Sequence, residues 1–137
     1  MGWAQSVRDA FLTGIRGTQM PAWPANLYVA LLTTNPTDET GTGAVEATGT
    51  GYARQAIPST TVGWSAPAGT NPRQISNAAI VNYGTSGAAW GTVTGFALYD
   101  AATAGTFKGW AALTGGSKVI NSGDPVSFAI GALLMDA

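Results

Sequence analysis

A mainly β fold, an antiparallel β-sandwich or partly closed barrel of about 7–8 strands behind a short N-terminal amphipathic helix, is what this 137-residue sequence predicts. Two observations carry that expectation. Helical periodicity is confined to the first sixteen residues, and short apolar or alternating runs, punctuated by most of the chain's 19 glycines and all 7 prolines, fill the remainder. The absence of any internal repeat at a period of 20–50 residues argues against a solenoid or a propeller.

The helix is expected over residues 2–16. Trp3, Val7, Phe11 and Ile15 recur every four residues, and Ala10 and Leu12 widen the stripe. Gly17 follows Arg16 where a left-handed C-terminal cap belongs, and a cation in the last turn suits the helix dipole. A helix of this length is marginal alone in water, so it should dock on its own domain or on a neighbour. Pro21 and Pro24 forbid its continuation and favour an extended connector, with Trp23 as an anchor between them. The chain thus divides into 1–26, helix and Pro-rich connector, and 27–137, an antiparallel β domain.

Leu27–Thr33 is a continuous apolar run, expected as a strand buried on both faces and ended by Asn35–Pro36. Residues 35–50 hold three of the seven acids and no base, the composition of a loop with a mobile tip. Tyr52–Ile57 is the next strand, stopped by Pro58, and Thr61–Ser65 another around Trp64. Gln74–Tyr83 fits a strand only with a β-bulge near Asn77–Ala78, because Ile75, Ala79 and Val81 cannot share a face by strict alternation. Thr92–Tyr99 and Thr106–Leu113 form the clearest hairpin, joined by Asp100–Gly105. Gly115–Gly116 turns into Lys118–Ile120. The last strand, Val126–Met135, puts Val126, Phe128, Ile130, Ala132 and Leu134 on one face.

Charge is scarce. Asp, Glu, Lys and Arg make up 9 % of the chain against about a quarter in ordinary soluble domains, while 45 % is hydrophobic and five residues are tryptophan. A surface so poor in charge is covered by neighbouring subunits or built from Thr, Ser, Asn, Gly and Ala. A net charge of −1 leaves no basic footprint for nucleic acid. The longest apolar stretches fall far short of the roughly 20 residues needed to cross a bilayer. The opening residues lack the basic and apolar regions of a secretory leader, so no export signal is expected.

The same scarcity argues against catalysis. With no histidine and no cysteine, a Ser or Thr nucleophile would need Lys108 or Lys118 as its base, and both are expected as solvated strand residues. Asp38, Glu39 and Glu46 read as loop acids, and neither a glycosidase pair nor a calcium loop matches their spacing. Gly41–Thr42–Gly43 and Gly49–Thr50–Gly51 lack the residues of a phosphate loop. No cofactor, metal or catalytic residue is expected. Trp64, Trp90 and Trp110 fit a sugar-binding face or a core, with the core or a subunit seam favoured for Trp90 and Trp110. Arg54 is either an exposed strand residue or half of an interfacial ion pair, with Asp100 or an acid on a neighbour.

Several segments resemble small tailed-bacteriophage virion proteins of the capsid decoration (cement), head-fibre and tail-fibre type. They are Leu27–Leu31 with Thr34–Thr37, Gly51–Gln55, Trp90–Thr94, Ala97–Ala101 and Asn121–Asp124 leading to Ser127–Phe128, and together they span about four-fifths of the chain. The resemblance implies an antiparallel β fold, no enzymatic activity and a place on the virion, commonly as a homo-oligomer. The first expectation is a decoration protein on the outside of a phage head, binding the major capsid protein and copies of itself, with a trimer favoured. Its contact residues would be Trp3, Val7, Phe11, Ile15, Trp23 and Arg54. The alternative is a structural or host-glycan-binding module of the tail or fibre.

Overall fold

The computed structural model describes residues 2–136; Met1 and Ala137, the outer ends of the two expected segments, lie outside the described residues. In chain order come β1 (Gly2–Trp3), α1 (Gln5–Ile15), β2 (Asn26–Thr34), β3 (Val45–Glu46), β4 (Gln55–Pro58) and β5 (Gln74–Ser76). They are followed by β6 (Val81–Thr85), β7 (Gly91–Val93), β8 (Gly95–Tyr99), β9 (Phe107–Ala112), β10 (Lys118–Ile120), β11 (Pro125–Phe128) and β12 (Leu134–Asp136). The fold is mainly β, as the sequence predicts, and every strand pairing is antiparallel. The described strands do not close into a barrel.

β2 organises the main sheet, whose order is β1-β9-β8-β2-β3. One edge of β2 pairs with β8, and the other is shared end to end by β4 and β3. Its unbroken apolar run reflects this position. Val29 and Leu31, opposite Leu98 and Phe96, face the core. Ala30, opposite Ala97, is equally enclosed on the other face, where the acidic loop folds over β9 with Gly41 lying on the Phe107 ring. Three two-stranded ladders, β10-β7, β11-β6 and β12-β5, complete the architecture. They close the core face with Ile120, Val93, Phe128, Tyr83 and Met135.

The structure corrects several expected boundaries. Gly2–Trp3 is a strand rather than the first turn of the helix, because Ala4 N–H donates to the Lys108 carbonyl at 2.8 Å and ties this backbone to β9. Gly17, at φ +89°, follows the C-cap Arg16 as expected. Thr61–Ser65 is a turn, in which only Trp64 makes a bridge, to Asn77. Thr92–Tyr99 breaks at Thr94, whose hydroxyl bonds the Leu32 carbonyl and Asn35, so β7 leaves for the ladder with β10.

Gln74–Tyr83 divides at Asn77 instead of bulging. That side chain is fully buried; its amide nitrogen donates to the carbonyls of Ala79 and Ala129, each at 2.9 Å, and its oxygen accepts from Leu133 N–H at 2.9 Å. An amide thus replaces the ladder where two strands part. Val126–Met135 divides for a related reason. Ala132 N–H closes a turn onto the Ala129 carbonyl at 3.0 Å, which Gly131 permits at φ +82°, and Ile130 is left 66 % exposed instead of lying on the core face.

Candidate interaction surface

Two side-chain assemblies stand out, one closed and one open. The closed one is built around Arg54. Its guanidinium grips Glu46 through two bonds, Nε to Oε2 at 3.0 Å and Nη2 to Oε1 at 2.8 Å. Nη1 donates to the carbonyls of Ala101 and Ala104 at 3.0 and 2.7 Å, and Cζ sits 3.9 Å from the centre of the Tyr99 ring. Tyr52 donates its hydroxyl to Glu46 Oε2 at 2.6 Å and accepts from Leu31 N–H. One charge pair therefore fastens the acidic loop and the β8–β9 connection to the sheet.

The electrostatics follow from that geometry. Burial pushes the Glu46 carboxyl up, but the bonds from Arg54 and Tyr52 and the arginine's charge outweigh it and hold the group below the usual glutamate range. Arg54 is pushed the other way by its bond to Glu46. Burial, reinforced by the bond to Glu46, drives the Tyr52 phenol far above its ordinary value. The expectation of an interfacial ion pair with Asp100 or a neighbour's acid is corrected: Arg54 pairs with Glu46 of its own chain, and Asp100 accepts from Thr106 N–H. With its side chain 8 % exposed, Arg54 is spent inside the molecule.

The other acids of residues 35–50 are also engaged. Asp38 takes the hydroxyl and amide of Thr40, which hold its carboxyl below the usual range. Glu39 pairs with Arg8, and its carbonyl receives Gln5 N–H. Among the described residues no cluster of three potential metal ligands forms. Trp90 is core, edge-on to Tyr52 and Tyr83 with its indole N–H on the Thr50 carbonyl. Trp64 is also buried, so neither offers a flat face to a sugar.

The open assembly is the N-terminal arm. None of the eleven residues of α1 is buried, and Phe11, Leu12 and Ile15 are 62 %, 57 % and 77 % exposed. Val7 is half-buried, turned toward the returning segment at Met20 and Pro21. Trp3, on β1, meets Trp23 edge to face at 5.6 Å. Five of the six expected contact residues are therefore gathered in one region, as a tryptophan clasp with an apolar helix above it. The four-residue period identified the helix, and the clasp shows where it starts and returns. Sequence reasoning missed Met20, exposed beside the arm, because an isolated methionine in a Pro-rich connector carries no periodic signal.

Among the described residues the acids are largely absorbed in the module's own turns and ion pairs, and the N-terminal arm leaves Phe11, Leu12 and Ile15 uncovered. The family model of the podophage GP4 fiber I protein gp80 matches residues 2–136, and the chain belongs to that family. It is accordingly a fibre-type bacteriophage virion protein with a structural role. No curated protein shows significant similarity to the chain. The resemblance to tailed-phage virion proteins thus holds at the level of the fibre, and the family favours the fibre alternative over capsid decoration.

Proposed function

We propose that the chain is a non-enzymatic structural subunit of a podophage fibre, carried into the particle through its N-terminal arm. The observation that supports this reading is a helix without a single buried residue that nevertheless presents Phe11, Leu12 and Ile15. Eleven residues are too few for a helix stabilised by propensity alone, and a contiguous exposed apolar face marks a contact surface. Trp3, Val7 and Trp23 extend that surface, whereas Arg54 supports the module from within. Copies of the chain and neighbouring virion subunits are the partners.

The test is incorporation. Phage grown with Phe11→Asp/Ile15→Asp protein supplied in place of wild type should yield purified particles depleted of the chain by mass spectrometry, although the free variant remains folded. Undiminished incorporation would overturn the arm's role. Gold-labelled antibody on wild-type particles should mark discrete fibres; an even coat over the head would instead return the protein to capsid decoration.

A further inference from the structure

Two cavities meet at the tryptophan clasp. Trp3 and Trp23 line both of them, one of about 420 Å³ beside Thr61 and Ile75 and one of about 710 Å³ against α1. Each lies within the ordinary size range of a ligand pocket. The larger cavity has two unlike linings. Phe11, Leu12 and Met20 join the indoles as its apolar part, while Gln5, Arg8, Asp9 and Glu39 supply a polar part. Helical spacing explains the juxtaposition: Gln5, Arg8, Asp9 and Leu12 stand at i, i+3, i+4 and i+7, along one face of α1.

The polar part is fixed at one corner and open at another. Arg8 pairs with Glu39, and the Glu39 carbonyl holds Gln5 N–H. The Gln5 and Asp9 side chains are exposed, and Asp9 belongs to neither ion pair among the described residues. Across the clasp, the smaller cavity carries the exposed Thr60 and Thr61 on its rim. Trp23 is 44 % exposed. Pro21 and Pro24 restrict the backbone on either side of it, and its edge-to-face contact with Trp3 uses a face of only one of the two rings. An indole held in water in a set position loses little freedom when a ligand covers it.

We propose that the clasp is a binding site for a neutral oligosaccharide, a role that goes beyond the fibre-subunit reading and does not rest on it. A pyranose ring has the two surfaces this lining asks for. Its C–H face, weakly positive, lies on the negative face of an indole. Its hydroxyls donate and accept around the edge, where the Gln5 amide does both, Asp9 accepts and Arg8 donates. Thr60 and Thr61 meet the hydroxyls of a ring on the other side of the clasp. A purely apolar occupant would strip water from Gln5 and Asp9 and give nothing back. An anionic sugar would meet the Asp9 carboxylate, with Arg8 already paired to Glu39. Ile15, 77 % exposed, lines neither cavity, so the tip of the arm stays free when the sugar is seated.

The five tryptophans report the contact directly by NMR of the isotope-labelled chain. Titration with neutral oligosaccharides of glucose, galactose, mannose, rhamnose and N-acetylglucosamine should move the indole N–H signals of Trp3 and Trp23 saturably with at least one of them. Trp90, 3 % exposed in the core, should stay in place. Trp23→Ala should weaken binding roughly tenfold or more, Gln5→Ala/Asp9→Ala should weaken it several-fold, and Trp23→Phe, which keeps a ring, should retain most of it. Melting curves check that the variants are folded, and the exposed Gln5 and Asp9 carry the test if Trp23→Ala is not. No movement with any of these sugars would overturn the proposal, as would tighter binding of polygalacturonate than of the neutral sugars. It would equally fall if phosphatidylcholine vesicles, or added unlabelled chain, moved the Trp3 and Trp23 signals while the sugars did not. All of these readings use the free chain, so they stand or fall separately from incorporation into particles.

Discussion

Replacing Arg54 with methionine removes the guanidinium and keeps most of the stem. Four hydrogen bonds disappear, two to Glu46 and one each to the Ala101 and Ala104 carbonyls. Losing one partner of a fully buried ion pair costs about 3–5 kcal/mol. Glu46 keeps 28 % of its side chain in water and the bond from Tyr52, which lowers the expected loss to about 2–4 kcal/mol. At this chain length that is a fall in melting temperature of roughly 10 °C. Urea unfolding of wild type, Arg54→Met, Glu46→Gln and the double variant completes a thermodynamic cycle, with a coupling of about 1–3 kcal/mol expected. The pH dependence has a definite sign. The folded chain holds Glu46 below its ordinary value. Its contribution is therefore complete above the unfolded pKa of about 4.3 and is lost as pH falls through the lower, folded value. The gap between wild type and Arg54→Met should narrow on that descent. A loss under about 1 kcal/mol with no coupling would refute the account of Arg54 as the fastening of the two loops.

Asn77→Ala should cost about 2–4 kcal/mol in chemical unfolding, because three backbone groups lose their amide partner in a fully buried site. Gly63→Ala is expected to destabilise by about 2 kcal/mol or more, since the new Cβ would lie 2.1 Å from the Pro58 carbonyl oxygen and the backbone must move; an unchanged melting temperature would contradict this close approach. Phe11→Asp/Ile15→Asp should leave unfolding within about 0.5 kcal/mol of wild type, as both side chains are exposed in the free chain.

What the sequence made legible was local. Leu27–Thr33 announced a doubly buried strand because both parities are apolar, and the Asp100–Gly105 turn announced the β8–β9 hairpin. What it hid was the passage of one extended run from one sheet to the next. Thr94, Asn77 and the Ala129–Ala132 turn each end a ladder through a hydrogen bond to residues distant in sequence or through a turn inside an alternating run, and neither perturbs the pattern of apolar residues. The partner of Arg54 was hidden likewise. Glu46 lies in the stretch that composition marks as loop, and only the fold of that loop around Tyr52 brings its carboxylate to the guanidinium. The arm's apolar stripe was visible, but periodicity cannot say whether a helix faces its own domain; the exposure of Phe11, Leu12 and Ile15 answers that for the free chain.

The place of β2 between β8, β3 and β4 has a consequence during synthesis. Leu31 faces Phe96, about 65 residues further on, and at roughly 5–20 residues per second that partner emerges several seconds later. Through that interval the run Leu27–Leu32 trails from the ribosome as a bare, uncharged strand, its first mates Val45–Glu46 and Gln55–Pro58 covering only one edge. An apolar strand left with one bare edge for that interval is the kind of segment through which nascent chains self-associate, until the β8–β9 hairpin arrives to pair with it.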